Sequence, residues 1–244
     1  MAQHRDVQEF LGGVKYGTSG LAYNTSKVVL FDDFLGDVIA DEWSAAKGND
    51  AQTVIATIQS AISGAVRLTA GDTVVVSESA SALTHALNWK AANGGLIMEA
   101  KVTPVTSVAN VAYFVGFSDV LATTTLEEPI TLSGTTYTTN ATDAVGFVFD
   151  TAATTDVWYG MGVANDVDAT AVTCSAPTAD TAQVLRVELS SAGVASFYID
   201  GVLQGTASGA VTTSVALTPI VVVMARTTTV KSIDIDYIHV EMTR

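Results

Sequence analysis

The side chains able to do chemistry are few and widely spaced. The three histidines, His4, His85 and His239, fall in separate segments, and none lies in a nucleophile motif of the G-x-S-x-G kind. Cys174 is the single cysteine, so no internal disulfide can form, and its VTCSAP surroundings contain no His or Lys to activate the thiol. Carboxylates offer more. A pair of them across a cleft can hydrolyse a glycosidic bond, and Asp234, Asp236 and Glu241 lie close together in the last segment. Alternation assigns Asp234 and Asp236 instead to the wet face of an amphipathic strand. Glu127-Glu128, before Pro129 in a Thr-rich loop, reads as solvated. Asp32, Asp33, Asp37 and Asp41 form one oxygen-rich cluster and Asn165, Asp166 and Asp168 another, but neither has the spacing of a calcium loop, and turn formation accounts for both. With no Cys/His zinc spacing and no phosphate-binding glycine loop, no catalytic residue, metal ligand or cofactor is expected. Sugar binding has better candidates: an aromatic face at Trp158 or Tyr159 to stack on a pyranose, with Asn165 and Asp166 to bond its hydroxyls. Adjacent strand residues point oppositely, so only one ring of the pair can face outward. Trp43 and Trp89 are assigned to the core.

The elements that must carry these residues are strands. In 96–102, Leu96, Met98, Ala100 and Val102 share one face while Glu99 and Lys101 share the other. Residues 184–189 repeat the pattern, and after a Ser190–Gly193 turn Ala195, Phe197 and Ile199 point inward before Asp200-Gly201 reverses the chain. Further strands are predicted near 29–34, 64–69, 111–117, 145–150, 157–163, 219–225 and 230–242, and 51–62 reads as strand. Ile233, Ile235 and Tyr237 share one face while Ile238, Val240 and Met242 take the other, which predicts a bulge near Tyr237-Ile238. Residues 1–27 read as an arm before a sandwich domain over 28–244. Within the arm, Val7, Phe10, Leu11 and Val14 follow helical spacing across Gly12-Gly13, and so short a helix must dock to persist. They are the partner-binding candidates.

Composition sets the outer bounds. With 11 Lys+Arg against 25 Asp+Glu, the net charge of −14 opposes binding to nucleic acid and to anionic membranes. Only 15% of the 244 residues are charged and 48% are hydrophobic, which excludes a disordered chain. No apolar run reaches the roughly 20 residues a spanning helix needs, and no export signal is visible.

In order along the chain, Leu30–Gly36 with Asp41–Ser44, the LRVELSSAGVASFYIDGVLQGT segment and the closing IDIDYIHVEM resemble the first strand, a central hairpin and the last strand of concanavalin A-like jelly rolls, the lectin, laminarinase and laminin-G group. The resemblance implies an all-β sandwich of two antiparallel sheets. Glycosidases of that group place a Glu-x-Asp-x-(x)-Glu set on a central strand, and this chain has none. Residues 145–160 and 163–168 are similar to jelly-roll virion proteins of tailed bacteriophages, some of which decorate capsids. That implies a non-enzymatic virion structural protein, made in the host cytoplasm and attached to the capsid surface. Its implied partners are the major capsid protein and further copies of itself in a homo-oligomer. The alternative is a lectin-like carbohydrate-binding module of a tail fibre, with a glycan as partner.

Overall fold

The structure, a computed structural model, describes residues 15–17, 20–22, 26–58, 64–73, 75, 79–120 and 126–244. The strands in chain order are β1 (Lys15–Gly17), β2 (Gly20–Ala22), β3 (Lys27–Asp32), β4 (Ser44–Lys47), β5 (Val54–Thr57), β6 (Val66–Ala70) and β7 (Ser81–Thr84). Then follow β8 (Leu96–Val105), β9 (Val111–Ser118), β10 (Ile130–Ser133), β11 (Thr136–Thr139), β12 (Ala144–Asp150), β13 (Tyr159–Ala164) and β14 (Val167–Asp168). The last are β15 (Val172–Thr173), β16 (Gln183–Leu189), β17 (Ala195–Ile199), β18 (Val202–Ala207), β19 (Thr218–Ala225) and β20 (Lys231–Thr243).

Two eight-stranded antiparallel sheets face each other. The front sheet runs β14-β13-β12-β9-β19-β7-β4, with β15 beside β13, and the back sheet runs β18-β17-β16-β8-β20-β6-β5, with β3 beside β20. β20 is long enough at 13 residues to pair β6 through its first half and β3 through its second. Its register on β8 shifts between Ile235 and Tyr237, where the change of face in the sequence places a bulge. Among the described residues, β1 and β2 pair only with each other, within the span read as an arm. Val7, Phe10, Leu11 and Val14 lie outside the described residues.

The two sheets have different faces, and the sequence explains why. Back-sheet strands alternate: Leu96, Met98, Ala100 and Val102 of β8 point into the inter-sheet core, while Glu99 and Lys101 point out. The outward positions form a ladder of ion pairs, Arg67–Asp234, Lys101–Asp236, Arg186 with Glu99 and Glu188, and Lys27–Glu241. Asp234 and Asp236 are therefore on the wet face, as their alternation requires. β9, β12 and β19 of the front sheet do not alternate, because both of their faces are buried. Tyr113, Phe117, Phe147, Phe149 and Val221 fill the inter-sheet core, whereas Phe114, Val148, Met161, Ile220 and Val222 form a second apolar cluster on the outer face. Leu126, Ile130, Leu132 and Ala141 close that cluster, so the β10–β11 hairpin acts as a third layer over the front sheet.

Candidate functional site

The third layer is fastened by one buried ionic cluster. β12 and β19 are apolar strands that end in charge, β12 at Asp150 and β19 at the following residue, Arg226. The Arg226 guanidinium lies across both Asp150 oxygens, with Nε donating to Oδ1 at 3.0 Å and Nη2 donating to Oδ2. The same Nη2 donates to Glu128 Oε2 at 3.0 Å, from the segment that leads into β10. Asp150 also accepts the backbone N–H groups of Leu132 at 3.3 Å and Ala152 at 2.9 Å, and Asn140 Nδ2 donates to the Glu128 carbonyl at 2.9 Å. Glu128 and Asp150 are buried, and Glu128 Oε1 has no hydrogen-bond partner among the described residues.

Two buried carboxyl groups thus share one guanidinium that is itself only partly exposed. Burial pushes the Glu128 carboxyl up to about 8; Arg226 opposes the shift and the Asp150 charge reinforces it. The shift favours the protonated acid, the form in which Glu128 would add no second negative charge beside the Arg226–Asp150 pair. The expectation of a solvated Glu128 is corrected here, since the side chain turns inward under the hairpin.

Beside the cluster an open cleft of about 360 Å³ lies between the hairpin and the ends of β12 and β19. Glu127, Thr131, Ser133, Asn140 and Arg226 supply its polar groups, with Leu132 and Ala152 as apolar floor. Its size is near the lower end of ordinary small-ligand sites, roughly 300–1,000 Å³. Over a mostly apolar surface it presents hydroxyl, amide, carboxyl and guanidinium groups, a donor and acceptor set that suits a polyol.

The carbohydrate-binding residues predicted from sequence do not converge. Trp158 is fully buried in the inter-sheet core against Tyr113, Phe147 and Phe149, and its Nε1 donates to Gln183 Oε1 at 3.0 Å, so it cannot stack on a sugar. Tyr159 points the other way, half-buried, with its ring 6.4 Å from that of Tyr137. Asn165 and Asp166 form the left-handed turn between β13 and β14, with φ of 49° and 62°. At about 3.3 Å per residue, β13 separates them from Tyr159 by roughly 20 Å. Trp43 and Trp89 are core residues, as assigned. Among the acidic clusters, Asp32 is committed to Trp43 Nε1 at 2.7 Å and to the Phe34 amide at 2.8 Å. The central front-sheet strands β9 and β19 contain no carboxylate. Sequence reasoning missed Glu128, Asp150 and Arg226, although two apolar runs that end in opposite charges were a usable signal.

No protein-family model matches this chain, and no curated protein matches it. Solved structures do. A Bacillus licheniformis β-glucanase superposes with a TM-score of 0.58 at 14% identity, covering 87% of this chain and 97% of its own. A prokaryotic β-1,3-1,4-glucanase (lichenase) from a mouse hindgut metagenome gives 0.58 at 11%, covering 87% and 98%. The carbohydrate recognition domain of Emp47p gives 0.59 at 10%, covering 91% and 99%. The expectation of a non-enzymatic protein does not stand against these likenesses. Two of the three structures are glucanases of the same architecture over nearly their whole length, so the missing carboxylate motif is no ground for excluding an enzyme. At these identities the likeness shows the fold: the chain is a concanavalin A-like jelly-roll β-sandwich.

Proposed function

We propose that this protein recognises an uncharged glycan, in the manner of a lectin, through the front-sheet cleft beside Arg226. The carrying observation is that Arg226, the one cation among the described residues that line the cleft, is already held by the Asp150 and Glu128 carboxyl groups. An anion would find no uncompensated positive charge there, and Glu127 would oppose it. Neutral hydroxyls would find Thr131, Ser133 and Asn140 as partners. The sugar-related names of the structurally similar proteins support the same ligand class.

A glycan array that pairs neutral oligosaccharides with their sulfated and sialylated counterparts tests this. Binding should be confined to neutral members and should weaken roughly 5- to 10-fold in Thr131→Val and Ser133→Ala, about one hydrogen bond each. Binding only to anionic glycans, or binding untouched by both changes, would sink the assignment.

A second reading, a virion structural protein that decorates a phage capsid beside the major capsid protein, is supported by the resemblance of residues 145–160 and 163–168. Its measurement is copy number in purified particles. Many copies per shell are expected, and absence from the particles rejects it.

A further inference from the structure

Among the strands at the margins of the two sheets, β3 has the longest stretch of backbone left open to pairing. Most edges are blunted. β18 follows a register shift at Phe197/Tyr198, and its Gly205 lies so close under Val172 of β15 that an added Cβ would sit 2.6 Å from that side chain. β4 is strapped by Lys47 Nζ donating to the Thr53 carbonyl, β5 has only four residues and its Thr57 hydroxyl is tied to the Asp37 carbonyl at 2.9 Å, and β14 and β15 have two residues each. β3 has six residues, no proline and no register shift, and among the described residues it pairs on one side only.

Its register settles which backbone groups are free. The Arg244 amide donates to the Ser26 carbonyl at 2.9 Å, and Val28 stands opposite Met242, Leu30 opposite Val240. Hydrogen-bonded pairs in an antiparallel ladder recur every second residue. Residues 26, 28 and 30 therefore turn their N–H and C=O groups to β20, and Lys27, Val29 and Phe31 turn theirs to the open edge. The side chains of the same three residues stand on the outer face, with Val29 54% and Phe31 45% exposed.

We infer that β3 pairs antiparallel with β3 of a second copy across a two-fold axis at Val29. That register uses all three open residues. Val29 meets Val29, and Lys27 stands opposite Phe31 in both directions, so neither like charges nor two bulky rings are placed face to face. Each lysine, held on the sheet surface by its own Glu241, then stands beside a facing phenylalanine whose ring stacks on its own Tyr237, so a cation meets an aromatic edge and not a like charge. The two back sheets then run on as one, through β20-β3-β3-β20. A second copy fits this edge because the complementarity is with itself, apolar centre against apolar centre and cation against ring. The surplus negative charge of each molecule opposes the contact from a distance, so salt should tighten it.

Sedimentation equilibrium on the full chain at two salt concentrations tests the inference. A dimer that tightens with NaCl is expected. Val29→Glu and Val29→Lys each place like charges on the axis and should weaken association at least roughly tenfold, while an equimolar mixture of the two variants should restore a heterodimer. Both changes lie on an exposed side chain, so circular dichroism should match the parent. Val29→Pro, which removes an outward N–H and leaves the β20 ladder whole, should also give monomers. A wild-type chain that stays monomeric at about 100 µM, or a dimer indifferent to all three substitutions, overturns the proposal.

Discussion

Glu128 is a carboxylic acid held where its charge is unwelcome, and this has a measurable sign. Its folded value of about 8 lies above the ordinary 4.5, so between those limits the folded state holds a proton that the unfolded state has released. Unfolding is then favoured by rising pH: the contribution of this group to stability is intact below about 4.5, declines through the window and is fully lost above about 8. Removing the proton leaves two buried anions on Arg226, and the hairpin side of the cluster is the side that can yield. Glu128→Gln keeps the shape and neutrality of the protonated acid. The unfolding free energy read from urea titrations should fall between pH 6 and pH 9 for the wild type, by on the order of 1–3 kcal/mol. The fall should be much smaller for Glu128→Gln, and equal slopes for the two proteins would show that Glu128 is already ionised at neutral pH. The lone thiol of Cys174 follows the same physics, raised to about 11 by burial, and should resist alkylation at neutral pH in the folded state.

At the scale of the strand, close packing between sheets sets the tolerances. Gly160 of β13 faces the core directly under Phe197 of β17, and a Cβ there would lie 2.5 Å from the ring. Neither strand can move without shifting its neighbours, so Gly160→Ala should cost about 1–3 kcal/mol, read as a lower urea midpoint with an unchanged slope. No loss would mean that Phe197 swings aside freely. The sequence made the alternating strands legible, because period two survives wherever one face is wet, as in β8, β16 and β17. It did not make the third layer legible. A run such as Ala144–Asp150, buried on both faces, looks the same whether its second face meets a sheet or a hairpin. For the same reason Trp158 could be read as outward: periodicity says that it and Tyr159 oppose each other, but not which of the two faces the core. The ionic cluster was missed because its members, Glu128, Asp150 and Arg226, come from three segments that only the fold brings together, and the cleft beside it draws its lining from the same three stretches of chain.

The whole molecule is a balance between paired charges on one face and surplus negative charge elsewhere. Lys27, Arg67, Lys101 and Arg186 stand in the partly exposed back-sheet ladder, where each pair is worth about 0–1 kcal/mol and is weakened by salt. Against that stands a net charge of −14, whose self-repulsion acts over the whole surface and is also weakened by salt. The screening length shortens from about 10 Å at 0.1 M to about 3 Å at 1 M, so interactions across the molecule fade before contacts within a salt bridge do. Repulsion should therefore be relieved first. The melting temperature should rise by about a few degrees between low salt and 0.5 M NaCl, roughly 1 kcal/mol for a domain of this size. The measurement belongs on Val29→Glu, where association through β3 does not add to the shift. A melting temperature that falls with salt would mean that the back-sheet ladder contributes more than exposed ion pairs ordinarily do, and Arg186, bridging Glu99 and Glu188, would be the first residue to replace.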